Sequence, residues 1–172
     1  YHNVMLCEEN PELSMKVNAA APEFMSALLK KSGSKFIHFS TDYVFDGNTS
    51  NPYTETDAAA PLNEYGKSKL LGEQQILAAN NEAVVMRVSG IYGSNPCRAK
   101  NGLNFVQLML KLAREKGEVK VVTDEIVSPT YTKNIAQQVT KILDSDISGI
   151  VHATSEGSCS WNEFAKEIFD YT

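Results

Sequence analysis

The chain has little of what marks several large classes of protein. Its three cysteines, Cys7, Cys97 and Cys159, are odd in number and widely spaced, so they form neither a disulfide framework nor a Cys-x-x-Cys motif. The histidines share no ligand spacing. No apolar run is long enough to cross a bilayer, and no signal peptide is visible. We therefore expect a cytoplasmic protein with no contact with a membrane, no disulfide and no bound catalytic metal.

Blocks of basic residues are also absent. The formal net charge is -5, and Lys30-Lys31 is the only adjacent basic pair, which argues against a nucleic-acid partner. A hydrophobic content of 42% with 22% charged residues is typical of a globular chain that can bury a core. The sequence begins at Tyr1 without an initiator Met and ends inside an apolar helical pattern. We therefore expect it to be a piece of a longer protein.

Helical and strand-like patterns alternate along the chain. Helical spacing of apolar residues covers 11–31, 65–80, 105–112, 135–142 and 161–168, and short apolar runs occupy 35–40, 83–88, 119–122 and 149–153. This alternation predicts a parallel α/β sheet, in which ligands bind beyond the carboxyl ends of the strands. Residues 40–47 and 89–93 leave strands at that edge, and a long polar loop of the kind that carries function follows the first of them.

Three side chains near this edge suit proton delivery to a carbonyl group. Thr41 stands at the end of a predicted strand, and Tyr65 and Lys69 are four residues apart at the start of a predicted helix, hence on one face. A phenol with a pKa of about 10 is a weak acid. A cation beside it would lower that value, and a hydroxyl could hold the carbonyl while a cofactor delivers hydride. The alternative, a surface Tyr and Lys on an exposed helix turn, fits the strand context less well.

Asn18 adds a second element to this hypothesis. Pro22 lies four residues later and has no N–H, so the helical hydrogen bond to the Asn18 carbonyl cannot form. The freed carbonyl could hold a water behind Lys69 and extend a proton relay. An ordinary helix kink at proline explains the same residues equally well, so both interpretations stay open.

Other polar side chains have simpler explanations. Glu55 and Asp57 could form a catalytic carboxylate pair, but their polar loop favours solvation or capping. Asp42 and Asp46 could contact a sugar hydroxyl, although Asp46 is followed by glycine, as in a turn. His38 lies within an apolar run, where a histidine is more often part of the core than a base.

A set of motifs in fixed order resembles a known family. The sequence reads Ser-Thr-Asp-Tyr-Val-Phe-Asp-Gly at 40–47, Tyr-Thr-Glu-Thr-Asp at 53–57, Pro-Leu-Asn-Glu-Tyr-Gly-Lys-Ser-Lys-Leu at 61–70, Arg-Val-Ser-Gly-Ile-Tyr-Gly at 87–93, Asn-Phe at 104–105 and Ser-Pro-Thr at 128–130. At these motifs, which extend over nearly the whole chain, it resembles the extended short-chain dehydrogenase/reductase superfamily and, within it, the dTDP-4-dehydrorhamnose reductases. One departure is the family's Gly-x-x-Gly-x-x-Gly turn for the cofactor pyrophosphate, which is absent here.

The resemblance implies a Rossmann-like, doubly wound parallel sheet with its first strands missing and a smaller C-terminal substrate-binding part. Residues 1–93 would belong to the NADP-binding domain, and residues 94–172 mainly to the substrate-binding part, with some segments returning to the sheet. The implied reaction is reduction of the 4-keto group of dTDP-4-dehydro-L-rhamnose to dTDP-L-rhamnose by NADPH, a step of nucleotide-sugar and cell-surface polysaccharide biosynthesis. Some members of the family also accept NADH.

The resemblance also implies a role for each matching residue. Tyr65 would donate the proton, Lys69 would tune its pKa and hold the cofactor ribose, Thr41 would position the carbonyl, and Asn18 matches the superfamily's relay asparagine. The remaining residues fall into two sets: Ser40, Ser89, Gly90 and Ile91 for the cofactor, and Asp42, Tyr43, Asn104, Phe105 and Thr130 for the nucleotide-sugar, with Thr41 shared.

Some expectations remain open at this point. Gly90 stands where some relatives carry an aromatic residue against the sugar, so a sister nucleotide-sugar epimerase or reductase is an alternative. A non-catalytic NADP-binding subunit, resembling the regulatory β subunit of methionine adenosyltransferase, is another. We expect a homodimer, and the sequence does not exclude a divalent metal at a subunit contact.

Overall fold

The computed structural model describes residues 1–95 and 102–171, so Cys97 lies outside the described residues. The chain divides into two units. The first unit consists of Tyr1–Val88 and Gln138–Ala153, and the second of Ser89–Gln137 and Thr154–Thr172. The division at residues 93 and 94 stays a prediction about the domain boundary. Within the described part of the chain, no helix is long and apolar enough to span a membrane.

The first unit is built on a three-stranded parallel sheet. Its strands are β1 (Ile37–Thr41), β2 (Val84–Val88) and β6 (Gly149–His152), in the order β1-β2-β6. In register, Ile37 lies beside Val84, and Val84 beside Gly149. The central strand β2 is almost completely buried, which explains its continuous apolar sequence. The predicted parallel α/β sheet is confirmed.

A long helical segment precedes this sheet. It consists of α1 (Val4–Glu9), α2 (Pro11–Met15), a π-helical turn (Lys16–Ala20) and α3 (Ala21–Ser32), which ends at Gly33 in the left-handed region with φ 66°. Directly before Pro22 the helix takes the wider π turn, in which the Ala21 N–H bonds to the Lys16 carbonyl. Asn10 lies at the N-cap position of α2, but its side chain makes no capping hydrogen bond there, and its amide donates to the Leu6 carbonyl of α1 at 3.3 Å.

Helix α4 (Glu64–Ala79) carries the tyrosine and lysine of the motif. It begins at Asn63, whose side chain accepts the Gly66 N–H at 2.8 Å. Two glycines allow close backbone contact around it. A Cβ at Gly66 would overlap the Tyr43 carbonyl oxygen, and a Cβ at Gly72 would overlap the Asn18 carbonyl oxygen. On its inner side α4 contributes to a core cluster consisting of Phe36, Ile76, Ala83 and Val85, with Leu29, Leu77 and Ile150 around it.

The second unit contains short strands and three helices in sequence. Strand β3 (Ile91–Tyr92) pairs in parallel with β5 (Thr130–Tyr131), and β4 (Ile126–Val127) pairs antiparallel with β7 (Cys159–Ser160). The helices are α5 (Phe105–Lys116), α6 (Thr132–Leu143), whose last residues belong to the first unit, and α7 (Trp161–Asp170). At the start of α7, Ser160 and Glu163 form a reciprocal capping box, which the sequence Ser-Trp-Asn-Glu at 160–163 favours.

The strand predicted at 119–122 is wrong. Val119 and Val121 pack instead against the apolar cluster of Met109, Ala165 and Ile168, and the Val122 carbonyl accepts the backbone N–H of Asn162 at 3.1 Å. The alternating apolar residues therefore come from packing on helices rather than from pairing in a sheet.

Candidate functional site

Thr41 ends β1 at the carboxyl edge of the sheet. The chain then enters a 3-10 turn over Asp42–Val44, which the Thr41 side chain caps by accepting the Tyr43 N–H at 3.2 Å. The same hydroxyl lies 3.0 Å from a carboxylate oxygen of Asp42. Only 5% of Thr41 is exposed. The strand end and the turn therefore hold this hydroxyl in one direction.

Tyr65 lies on the first turn of α4 and contacts this strand end. Its ring packs edge-on against Tyr43, with ring centroids 5.7 Å apart. Burial raises the pKa of Tyr65 to about 12, a hydrogen bond with the Thr41 hydroxyl opposes that rise, and the Asp42 carboxylate adds to it. The direction is opposite to the lowered pKa expected from a neighbouring cation, because desolvation outweighs the other influences.

Lys69 lies one turn further along α4 and points to β1. Its ammonium donates to the Phe39 carbonyl at 2.6 Å, and its Nζ lies 3.0 Å from Nε2 of His38. Burial lowers the pKa of Lys69 to about 8, and the Glu73 carboxylate partly opposes this. Sequence reasoning treated His38 only as a core residue and missed this contact.

Asn18 reaches α4 through a buried cluster of hydroxyl groups. The Asn18 amide and the Ser14 hydroxyl both donate to Oγ of Ser68, each at 3.0 Å, and Ser68 donates to the Tyr65 carbonyl at 2.8 Å. The cluster fixes the helix turn that carries Tyr65. Sequence reasoning missed Ser14 and Ser68. A small polar residue on the buried face of a helix is the signal in the sequence that could have indicated them. The water expected behind Lys69 stays a prediction.

A buried ion pair lies under the same helix. Arg87 on β2 donates from Nε and Nη2 to the Glu73 carboxylate, with a shortest distance of 2.6 Å. The Arg87 guanidinium also lies over the Phe45 ring, 4.9 Å from its centroid. Both charged side chains are almost completely buried. The pair therefore fixes α4 to the central strand close to the candidate site.

Ser40 precedes Thr41 and is also buried. Only 3% of it is exposed, and its hydroxyl has no hydrogen-bond partner within the described residues. Buried hydroxyls are normally satisfied, so this one is suited to accept or donate a bond to a bound molecule or to water.

The polar loop after β1 has structural contacts, as the simpler interpretation predicted. Asp46 accepts the Tyr53 hydroxyl at 2.7 Å, and Glu55 accepts the His152 N–H on the edge strand β6 at 2.8 Å. Asp57 accepts the Thr54 N–H at 2.6 Å. These hydrogen bonds lower the pKa of all three carboxyl groups. Local turn and capping contacts are therefore confirmed for Asp46 and Asp57, whereas Glu55 binds the backbone of β6.

The cofactor residues predicted after β2 belong to the second unit. The Ser89 hydroxyl accepts the Ser128 N–H at 3.2 Å, and the Gly90 carbonyl accepts the Thr130 N–H at 3.3 Å. Gly90 has φ 50°, which side-chain-bearing residues rarely adopt, and Ile91 is about half exposed.

The predicted sugar-binding residues of the second unit are held by their local structure. Asn104 caps α5 in a reciprocal capping box with Gln107. Phe105 packs on Trp161, with ring centroids 4.5 Å apart. The buried Thr130 hydroxyl donates to the Ser128 carbonyl at 2.8 Å. Their roles toward a substrate stay predictions, as do those of Asp42 and Tyr43 in the first unit.

The described residues contain no group of three or more His, Cys, Asp or Glu side chains that could hold a metal ion. Cys7 and Cys159 are free thiols.

Comparison with known proteins identifies the family. A profile described as "RmlD substrate binding domain" matches residues 1–172. The chain belongs to this family. The resemblance seen in the motifs is thereby confirmed. Among relatives of the RmlD substrate binding domain, the spore coat polysaccharide biosynthesis protein SpsK of Bacillus subtilis is 39% identical over 170 residues, which cover 99% of this chain and 58% of that protein.

Two dTDP-4-dehydrorhamnose reductases are similarly related. The enzyme of Burkholderia thailandensis is 37% identical over 177 residues, covering 98% of this chain and 57% of that protein. A crystal structure of the Bacillus anthracis enzyme in complex with NADP matches with a TM-score of 0.91 at 37% identity, covering 99% of this chain and 59% of that one. This chain thus spans somewhat more than half the length of these relatives, and it shares their Rossmann-like α/β fold.

Proposed function

We propose that the whole protein containing this chain reduces the 4-keto group of dTDP-4-dehydro-L-rhamnose to dTDP-L-rhamnose with NADPH. One arrangement carries the proposal. Thr41 caps the turn at the carboxyl end of β1, and the Tyr65 ring packs edge-on against Tyr43 in that turn. Lys69 lies one helix turn further along α4 and donates to the Phe39 carbonyl of β1. Relatives named dTDP-4-dehydrorhamnose reductase, at 37% identity, support the choice of substrate.

The protonation state of Tyr65 suits the reducing direction. With a pKa raised to about 12, the phenol holds its proton throughout the neutral range. In the proposed reaction the ketone oxygen accepts hydrogen bonds from Thr41 and Tyr65. As hydride adds to C4 and the C=O double bond becomes a single bond, the Tyr65 proton moves to the oxygen and completes the alcohol. The charge of Lys69 then stabilises the tyrosinate that remains.

The residues present fit the ribose end of the cofactor. An ammonium has three donors, of which Lys69 uses two on His38 and Phe39, so one N–H is left for a ribose hydroxyl. The buried Ser40 hydroxyl, which has no partner among residues 1–95 and 102–171, is a second available group. NADPH, when bound, supplies the hydride. We further assign contacts with the cofactor to Ser89, Gly90 and Ile91, and we place Asn18 in the proton relay to Lys69. Contacts with the nucleotide-sugar are assigned to Asp42, Tyr43, Asn104, Phe105 and Thr130.

The test is NADPH oxidation by the whole protein with dTDP-4-dehydro-L-rhamnose as substrate. Tyr65→Phe removes the proton donor and should lower the rate about 10²–10⁴-fold, the range ascribed to general acid catalysis. Tyr53→Phe is a matched control, because it removes a phenol whose partner is the loop residue Asp46, and it should keep most of the rate. Absence of oxidation by the unaltered protein, or an unchanged rate in Tyr65→Phe, would contradict the proposal.

The remaining parts of the proposal concern the state and location of the protein. Free thiols at Cys7 and Cys159 are usual for a cytoplasmic protein. We place the reaction there and assign a homodimer, which sedimentation of the whole protein tests directly.

A further inference from the structure

His38 lies in β1, three residues before Thr41, and faces the candidate lysine. Its imidazole Nε2 is 3.0 Å from Nζ of Lys69, and the carbonyl of the next residue, Phe39, accepts from the same ammonium at 2.6 Å. Consecutive residues of one strand thus offer Lys69 a side-chain contact and a backbone acceptor. A strand in a parallel sheet is a rigid support, so both groups are fixed in direction.

The chemistry of the two groups determines which of them donates. An ammonium has hydrogen-bond donors and no acceptor, so Nε2 of His38 must be the acceptor and must carry no hydrogen. This requires a neutral imidazole with its hydrogen on Nδ1. Burial, followed by the Lys69 charge, lowers the pKa of His38 to about 4, which agrees with a neutral ring at neutral pH.

We propose that His38 is a positioning residue, which keeps the Lys69 ammonium charged and directs its remaining N–H. The inference rests on the function proposed above, since it assigns the support of a group in that site. It also explains why a histidine lies between the apolar residues Ile37 and Phe39 of this strand. Without the imidazole, the buried ammonium would lose one of its two acceptors, and its charged form would become less stable.

Other ionisable groups on α4 and β2 lie around Lys69. Glu73, one turn further along α4, favours the charged form, and it is itself paired with Arg87 on β2. Tyr65, on the preceding turn, is neutral because burial raises its pKa. A test of His38 must therefore leave Glu73, Arg87 and Tyr65 unaltered.

The first test measures the pKa of Lys69 by NMR in the whole protein, labelled at the lysine side chains and assigned with Lys69→Arg. His38→Leu removes the acceptor, and the Lys69 pKa should fall by about one unit, the equivalent of one hydrogen bond to a charged group. His38→Gln offers an amide oxygen near the position of Nε2 and should restore most of the difference. An unchanged pKa in His38→Leu, or an equal fall in both variants, overturns the proposal.

The second test needs no substitution, so it stands even if His38→Leu does not fold. Nitrogen NMR of the imidazole in the unaltered protein should show a hydrogen on Nδ1 and none on Nε2 at neutral pH. A hydrogen on Nε2, or a doubly protonated ring, means that His38 does not accept from Lys69 and refutes the inference.

Kinetics then connect the residue to the reaction. If the charged lysine is needed, the rate falls as pH rises through the Lys69 pKa, and in His38→Leu this fall should occur at a pH lower by the same amount as the measured pKa shift. Both NMR tests are made without substrate. If the unaltered protein does not oxidise NADPH, the proposed reaction is wrong while the NMR tests still decide the role of His38.

Discussion

The buried pair of Glu73 and Arg87 should be the strongest single electrostatic contact of the first unit. The perturbations are Glu73→Gln, Arg87→Met and the double variant. Arg87→Met leaves a carboxylate that is 1% exposed without its cation, whereas Glu73→Gln leaves a guanidinium that still lies over the Phe45 ring. Removing one partner of a buried pair costs about 3–5 kcal/mol because the other charge stays uncompensated.

The two single variants should lose different amounts of unfolding free energy. We expect Arg87→Met to lower the free energy of unfolding by about 3–5 kcal/mol, and Glu73→Gln by about 1–2 kcal/mol less, the size of a desolvated cation–π contact. The double variant removes both charges and should cost less than the sum of the two, with a coupling of about 2 kcal/mol or more.

Urea unfolding of the whole protein measures these free energies. The surface pair of Lys67 and Glu64 is the matched control, since its N–O distance is 2.7 Å but its side chains are 50% and 22% exposed. Its double-mutant cycle should give a coupling of about 0.5 kcal/mol or less. If the buried pair gave no larger coupling than this surface pair, the argument that burial makes the contact strong would be refuted.

Two further predictions concern packing and acid stability. Gly72→Ala places a methyl group against the Asn18 carbonyl and should lower the free energy of unfolding in urea by about 1–3 kcal/mol, although alanine has the better helix propensity. Equal or greater stability of the variant would refute the close backbone contact. Because the His38 pKa is about 4 in the folded chain and 6.5 ordinarily, the unfolded chain takes up the proton first. The neutral His38 side chain should thus contribute fully to the free energy of unfolding above pH 6.5. This contribution, roughly 3 kcal/mol at most, should be lost as pH falls toward 4, and His38→Gln should lack this part of the pH dependence.

The sequence was sufficient to locate the candidate site but not its surroundings. Apolar runs predicted strands that end near Thr41 and Val88, and helical spacing predicted a helix that carries Tyr65 and Lys69, because both signals depend on local periodicity. The contact of His38 with Lys69 arises only when β1 and α4 pack together, so periodicity cannot reveal it.

Desolvation was the other effect that local reasoning missed. The neighbouring lysine suggested a lowered pKa for Tyr65, but the pKa is raised because desolvation outweighs the other influences on this phenol. The apolar residues at 119–122 were mistaken for a strand for a related reason: packing against helices and pairing in a sheet leave the same alternation in a short segment.

The π-helical turn over Lys16–Ala20 keeps buried residues that are spaced four apart on one face of the helix. Ser14, Asn18, Pro22 and Ser26 are all buried, yet in an α-helix of 3.6 residues per turn a repeat of four drifts steadily around the axis. The wider turn takes up part of that drift. The extra residue thus works as a phase correction. If the twelve steps from Ser14 to Ser26 were regular α-helix at about 100° each, Ser26 would be turned about 120° away from Ser14, and the two serines could not bond the Ser68 hydroxyl and the Ile76 carbonyl from one face of the helix.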